Sequence, residues 1–299
     1  MTVLHVRTGT LAIACVFTAS AAWAGINDYP LRIAIEMQGA TKALVAHNDG
    51  ASPVTLHLDG APSDTGDGAD GKTFVVEARS ATILADVSNA EGATLHYSFY
   101  VGRINAAPER GRCYRLPFRE GHAFRVSQAY GDGNTTHDNE QNRYAVDFAM
   151  PEGTPVVAAR AGIVVDVTLR HHASGRDPSL LGKANRVTIV HDDGTIAKYA
   201  HLAPELPRVS PGEKVEAGAL IGHSGNTGYS SGPHLHFVVG RPALVDGKVK
   251  PISLPFCFYT GTPPVVFAPA VGMMPVAHYP QPAAEPEVRA ASGAAAPLY

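Results

Sequence analysis

Cysteine is scarce: the 299 residues hold three, and no two of them have the C-x-x-C spacing. A zinc-thiolate site is therefore not expected. Charged residues make up only 17%, the net charge is -3, and no run of Lys or Arg occurs. Nucleic acid is set aside as a partner, because a phosphate binder needs a clustered basic surface. No apolar stretch reaches the about 20 residues that span a bilayer, so the mature chain is expected to carry no transmembrane anchor. Helical periodicity is also scant. What the chain does have is a hydrophobic content of 45%, typical of globular proteins, and a length suited to two domains plus tails.

Residues 1–24 read as an export signal. Arg7 supplies the positive start, Leu11 to Ala22 the apolar run, and Ala22-Trp23-Ala24 the small-x-small cleavage pattern. Cys15 is lost with this segment. The expected location is outside the cytoplasm, in the periplasm. Cys113 and Cys257 then remain in the mature chain, and an even number in an oxidising compartment allows one disulfide. Two buried free thiols are the alternative.

The expected class is all-β. In residues 25–110, runs such as Leu31 to Glu36, Lys42 to His47, Val54 to Leu58 and Thr94 to Val101 alternate with Gly, Asp, Ser and Asn clusters. Short strands at this spacing predict a small β-sandwich, an accessory domain without a catalytic constellation. Residues 111–262 are rich in β signals and glycine, and predict a mostly antiparallel folded sheet or barrel. Two similar hairpins, Gly153 to Val164 and Gly212 to Gly222, resemble those of lipoyl carriers. A carrier, however, presents a lysine at the hairpin tip, and here the tip is Ala217-Gly218. From residue 263 to 299 the composition turns to Pro and Ala, and a disordered tail is expected.

The chemistry concentrates in the second domain. In Gly232-Pro233-His234-Leu235-His236-Phe237, the two histidines share one face of a strand while Leu235 and Phe237 face the other. Tyr199-Ala200-His201-Leu202 ends an apolar strand. Asp147 lies inside the apolar run Tyr144 to Ala149, where a bare charge is costly unless paired or ligated. His137 precedes it on a polar stretch. Two histidines and a carboxylate with an open fourth position are what a catalytic zinc needs.

These pieces, in this order, resemble the lysostaphin-type (LytM-type) zinc endopeptidases of bacterial cell walls. The likeness spans about Pro117 to Val239 and includes Pro151-Glu152-Gly153-Thr154-Pro155-Val156 and Ile221-Gly222-His223-Ser224-Gly225-Asn226-Thr227-Gly228. It implies an enzyme that hydrolyses peptide bonds of peptidoglycan stem peptides or cross-links with water activated by one zinc ion. Asp147 and His236 become metal ligands, His201 and His234 catalytic residues.

One position departs from the pattern. Many relatives place the first ligand four residues before the Asp, where this chain has Arg143. His137, ten before Asp147, is assigned as the third ligand instead, with His122 as the competitor. Arg143 is read as a surface residue, His171, His172 and His191 as solvated, and His223 as structural. Tyr130 and Tyr229 are placed at the rim of the cleft, and the turn Gly225 to Gly228 along it. The competing function is a metal-free protein that uses the same groove to activate another wall hydrolase. Such relatives lack several of the five site residues, whereas this chain keeps all of them.

Overall fold

In a computed structural model of the chain, residues 3–5, 14–17, 29–59, 71–88, 94–104, 106, 111–131 and 135–279 are described. They divide into two compact units, residues 1–105 with 242–251 and residues 106–241 with 252–299. Among the described residues the structure is almost entirely β, with one 3-10 turn at Pro178–Leu180. None of them forms a helix long and apolar enough to cross a membrane. Of the expected export segment, only 3–5 and 14–17 are described, and the rest lies outside.

The first unit contains β1 (Val3–His5), β2 (Ala14–Phe17), β3 (Leu31–Gln38), β4 (Thr41–Asn48), β5 (Val54–Asp59), β6 (Lys72–Val76), β7 (Ser80–Asp86) and β8 (Thr94–Val101). One sheet has the order β1-β2-β8-β5-β6 and the other β3-β4-β7. Leu44 and Ala46 of β4, Leu84 of β7, and Leu56 and Leu58 of β5 enter one buried cluster. Alternate residues of both sheets thus fill a common core, as a sandwich requires. The turn after β4 is held by Asn48, which is fully buried and donates to the carbonyls of Ser52 and Glu77, each at 2.9 Å.

The second unit contains β9 (Cys113–Arg115), β10 (Arg125–Gln128), β11 (Val146–Ala149), β12 (Pro155–Val157), β13 (Gly162–Thr168), β14 (Ser174–Gly175), β15 (Arg186–Val190), β16 (Ile196–Ala200), β17 (Lys214–Val215), β18 (Leu220–His223), β19 (Gly228–Tyr229), residues 235–241 of β20 (Leu235–Val245), the last two residues of β21 (Lys248–Ser253), β22 (Cys257–Thr260) and β23 (Val265–Phe267), while residues 242–251 belong to the first unit. Its main sheet runs β10-β11-β20-β16-β15-β13-β17, and all these neighbours are antiparallel. The two similar hairpin segments come together in space, since β12 pairs with β18 and β13 with β17.

Period-two alternation gives this sheet two different faces. Val146, Phe148, Leu235, Phe237, Tyr199, Val187 and Ile189 are buried in the core on one side. Phe118, Phe256 and Phe258 complete that core, with Phe237 meeting Phe256 edge-on at 5.3 Å between ring centroids. The opposite face carries the polar partners of the same strands. β15 and β16 are joined at Asp192-Asp193-Gly194, where Gly194 takes a positive φ of 81° and Asp193 accepts from the Thr195 amide at 3.0 Å. Arg160 pairs with Asp193 at 2.7 Å and also with Asp192.

Cys113 and Cys257 are register partners in the parallel pair β9–β22 and are joined by a disulfide with a Cα–Cα distance of 4.6 Å. The free-thiol alternative is thereby settled. The ordered chain also continues beyond residue 262, where composition had predicted a tail. β23 pairs with β22, and Tyr279 donates to the Tyr259 carbonyl at 2.7 Å while accepting from the Leu116 amide at 2.7 Å. Two buried aromatics, Tyr259 and Tyr279, supply packing that a Pro and Ala count overlooks. Residues 280–299 lie outside the described ones.

The bridge closes a loop of sequence separation 144. The chain-entropy cost it removes from the unfolded state is about 4 to 5 kcal/mol. The double replacement Cys113→Ser/Cys257→Ser is expected to lower the thermal midpoint of this unit by roughly 10 °C or more, measured by differential scanning calorimetry.

Candidate metal centre

Asp147 sits in the middle of β11, between Val146 and Phe148, which both point into the core. Its own side chain must leave by the other face, where it is still only 3% exposed. Register then assembles its neighbours. Asp147 pairs across strands with Gln128 on one side and His236 on the other, and His236 pairs with Ala200. Directly opposite residues in a sheet share a face, so one row runs through Gln128, Asp147, His236 and Ala200. A bulge in β10 between Val126 and Gln128 sets this register and brings Gln128, rather than Ser127, opposite Asp147.

His236 Nδ1 is 3.0 Å from Asp147 Oδ1. His137 arrives from the loop after β10 and puts Nε2 3.4 Å from Asp147 Oδ2. The rings of His137 and His236 stand nearly perpendicular, at 86°, with centroids 4.9 Å apart. Gln128 ties this loop to the carboxylate. Its amide donates to Asp147 Oδ2 at 2.7 Å, while its carbonyl oxygen accepts from the Thr136 amide at 2.8 Å and the Thr136 hydroxyl at 3.0 Å. The residue next to His137 is thus clamped to the strand partner of Asp147.

His201 and His234 lie beside this trio. Their rings are 4.4 Å apart, and His201 is 5.9 Å from the His236 ring. His201 Nδ1 is 2.7 Å from the Thr227 carbonyl, and His234 Nδ1 is 2.8 Å from the Gly232 carbonyl. A carbonyl oxygen only accepts, so each Nδ1 carries the proton and each neutral ring keeps its lone pair on Nε2. His234 Nε2 is 3.9 Å from Asp147 Oδ2. His201 has a φ of 61°, a left-handed conformation in which a non-glycine residue is strained. The contacts on either side hold it there: Leu202 donates to the Asn185 carbonyl at 3.1 Å, and Thr227 donates to the Leu202 carbonyl at 2.8 Å.

Burial disfavours the charged form of His201, His236 and Asp147. It pushes His201 down to about 3, with neighbouring His234 and His236 acting in the same direction. Burial likewise lowers His236 to about 4, partly offset by its bond to Asp147. For Asp147 burial acts upward, but hydrogen bonding from His137 and His236 outweighs it and keeps the carboxyl well below the usual carboxylate range. Asp147 is therefore an ionised carboxylate beside the neutral imidazoles of His201 and His236.

That donor set fits a metal ion. One atom each from His137, Asp147 and His236 lies within 4.8 Å of the other two, and all three residues are buried. Ligands of a tetrahedral ion with bonds of about 2.1 Å stand roughly 3.4 Å apart, so small side-chain rotations close the set. Among the described residues, Asp147 has ion-pair contacts only with histidines. A buried carboxylate without Lys or Arg needs positive charge from elsewhere.

All five residues expected from the sequence therefore meet at one place. His122 is exposed and bonds locally to the Glu120 carbonyl, and Arg143 is exposed. His223 pairs with Glu205 at 2.9 Å, in keeping with a structural role. His172 is exposed and His171 partly so. His191, expected to be solvated, is instead only 3% exposed. Its Nδ1 meets the Ala161 carbonyl at 2.8 Å, and burial lowers it to about 4. Its turn packs under Tyr114, which a loop-like sequence context does not reveal. Tyr229 is 45% exposed, whereas Tyr130 bonds to the Phe256 carbonyl and packs on Tyr144. Gln128 and the Thr227 carbonyl were not anticipated. The first depends on strand register, the second on a backbone atom that no side-chain motif names.

Residues 141–249 match the model of Peptidase family M23. The matched segment contains Asp147, His201, His234 and His236, while His137 lies just upstream. An uncharacterized metalloprotease of Buchnera aphidicola is 35% identical over 143 residues, 47% of this chain and 34% of that protein. Peptidoglycan DD-endopeptidase ShyA of Vibrio cholerae is 44% identical over 99 residues, 32% of this chain and 20% of that protein. Glycyl-glycine endopeptidase ALE-1 of Staphylococcus capitis is 40% identical over 100 residues, 33% of this chain and 25% of that protein. The chain thus spans between 20% and 34% of the length of these curated relatives.

The loops that hold His201 and His234 touch at Gly225, which pairs with His234 in an isolated bridge. A Cβ there would meet the Ala203 amide nitrogen at 2.6 Å and the Leu202 carbonyl carbon at 2.8 Å. Gly225→Ala is expected to destabilise the unit by about 1 to 3 kcal/mol and shift the imidazole resonances of His201, followed by thermal melting and NMR.

Proposed function

We propose, from the match of residues 141–249 to the model of Peptidase family M23, that the chain is a zinc-dependent endopeptidase that hydrolyses peptide bonds of peptidoglycan stem peptides or cross-links. The observation that carries the reading is the meeting of His137, Asp147 and His236 within 4.8 Å, with His201 and His234 alongside. The proteins similar to it include a peptidoglycan DD-endopeptidase and a glycyl-glycine endopeptidase. The disulfide between Cys113 and Cys257 supports an oxidising compartment and, with the apolar segment at residues 11–22, export to the periplasm.

His137, Asp147 and His236 would hold the zinc ion. When bound, zinc supplies Lewis-acid polarisation of the scissile carbonyl and a water acidified to a pKa of about 7. The imidazoles do the proton work. With Nδ1 committed to the Thr227 and Gly232 carbonyls, His201 and His234 each turn an unprotonated Nε2 to other contacts. One accepts a proton from the attacking water and returns it to the leaving amine, while the other borders the position where the oxyanion develops. Burial keeps His201 neutral throughout the physiological range, so it is available as an acceptor. Gln128 fixes the carboxylate and the His137 loop in one geometry, as outer partners of metal ligands do.

His236→Ala is expected to abolish both zinc retention and hydrolysis of purified sacculi, whereas His234→Ala keeps zinc and loses turnover by at least about a hundredfold. Elemental analysis and released muropeptides measure the two effects. A wild-type protein that holds no zinc and releases no peptide would instead favour a groove-binding activator of another hydrolase. Gln128→Leu is expected to weaken zinc affinity about 10- to 100-fold, read by competition with a chelator.

A further inference from the structure

His137 stands ten positions before Asp147. A fully extended stretch of that length reaches about 33 Å, yet a ligand atom of each residue lies within 4.8 Å of the other. The segment between them must double back. It has little apolar material to hold it in that shape: Asp138, Asn139, Glu140 and Arg143 are exposed, and Gln141 and Asn142 are partly so. Asn139 closes one turn. Its carbonyl accepts from the Arg143 amide at 2.8 Å, and its side-chain oxygen accepts from the Gln141 and Asn142 amides at 3.2 and 3.1 Å. The His137 ring adds no anchor through its outer nitrogen. Nδ1 is buried and has no hydrogen-bond partner among the described residues, whereas the outer nitrogen of a ligating histidine is as a rule held by a carboxylate or carbonyl. What holds the backbone on either side of His137 therefore decides where its ring sits.

Gln128 does this upstream, through Thr136. Downstream the contact is Ser253, the last residue of β21, which is buried. Its amide and its hydroxyl both donate to the Glu140 carbonyl, at 2.8 and 2.7 Å. The same hydroxyl oxygen accepts from the Tyr144 amide at 3.2 Å. One side chain thus joins the two ends of the 140–144 turn. The residues after Ser253 are fixed in their own right. The Leu254 amide donates to the Val239 carbonyl at 2.8 Å, on the strand that carries His236, and the Phe256 carbonyl accepts from the Tyr130 hydroxyl. Residues 253–256 are a strap between β20 and both limbs of the loop that delivers His137. Neither His137 nor Ser253 falls within the family match at 141–249, so the family pattern does not account for this contact.

We propose that the Ser253 hydroxyl is a positioning group for the metal centre: by closing the 140–144 turn it holds His137 at ligating distance from Asp147 and His236. The proposal rests on the zinc-peptidase reading above. Ser253 itself touches neither the ion nor substrate, and acts only through the His137 loop.

The test uses the full chain with zinc as the probe, and affinity is read by competition with a chelator. Ser253→Ala keeps the amide bond to Glu140 and removes only the hydroxyl; it is expected to weaken zinc binding about tenfold. Ser253→Cys, whose thiol is a weak donor, replaces it if the alanine variant does not fold. In a His137→Ala background the same change should alter affinity by less than about twofold, because the ligand it acts through is gone. Unchanged affinity in Ser253→Ala overturns the proposal. Equal losses in both backgrounds overturn it too, and leave Ser253 a general structural role. Should His137→Ala bind too little zinc to measure, NMR of the zinc-free protein decides: Ser253→Ala should shift and broaden the His137 imidazole resonances but not those of His201. Unaltered His137 resonances then overturn the proposal. A wild type that binds zinc no more tightly than His236→Ala overturns the metal-site reading itself, and the positioning role with it.

Discussion

A carboxylate in the middle of an apolar strand is the constraint that the catalytic unit is built around. Asp147 has core residues before and after it in β11, so strand geometry forces its side chain onto the opposite face and into a nearly solvent-free position. Leaving it there ionised and bare would cost several kcal/mol. The surrounding chain answers with donors: Gln128 from the neighbouring strand, His236 from the strand on the other side, and His137 from a loop that Gln128 also holds. Each partner is placed by register or by a bond to a register partner. The trio is thus placed by sheet pairing and one loop, with a single irregularity in the strands that carry it, the bulge before Gln128.

The second pair of histidines is organised by different means. His201 leaves the end of β16 in a left-handed conformation, and His234 enters β20 after a turn. Backbone carbonyls of Thr227 and Gly232 set their tautomers. The loops approach so closely that side chains are excluded at two points. A Cβ on Gly225 would strike the backbone of 202–203, and one on Gly228, whose φ is 82°, would meet the Ala184 amide nitrogen at 2.5 Å. Asp147 and His236 rest on strands, whereas His137, His201 and His234 are carried by connecting segments, and His201 is held in its strained conformation by neighbouring backbone bonds.

The two faces of the main sheet divide the work. Aromatic packing around Phe237, Phe256 and Phe258 supplies the stability, and the disulfide ties β9 to β22 at the edge of the same core. The polar face carries Asp147, the histidines and the Lys198–Arg186–Asp166 row, groups that are costly to bury and are tolerated because the core behind them is well packed.

Much of this was legible before the structure. The strands at Lys42 to His47, Val54 to Leu58 and Thr94 to Val101 lie within a residue or so of those observed, because alternation and turn residues act locally. The strand Ser80–Asp86 gave no separate signal, since its pattern of small and polar residues reads as a loop. H-x-H and the lone buried Asp marked the site because a costly residue type in an apolar run is visible in one dimension. By itself the sequence determined the strand periodicity, the parity of its cysteines and the set of side chains able to hold a metal, all of which are properties of residue type and spacing. Only the tertiary structure decided which histidine reaches Asp147 from ten residues away, that Gln128 stands opposite it, that His191 is buried, and that residues 263–279 are ordered. Each of these depends on which strands pair and in what register, a long-range choice made by the whole core at once.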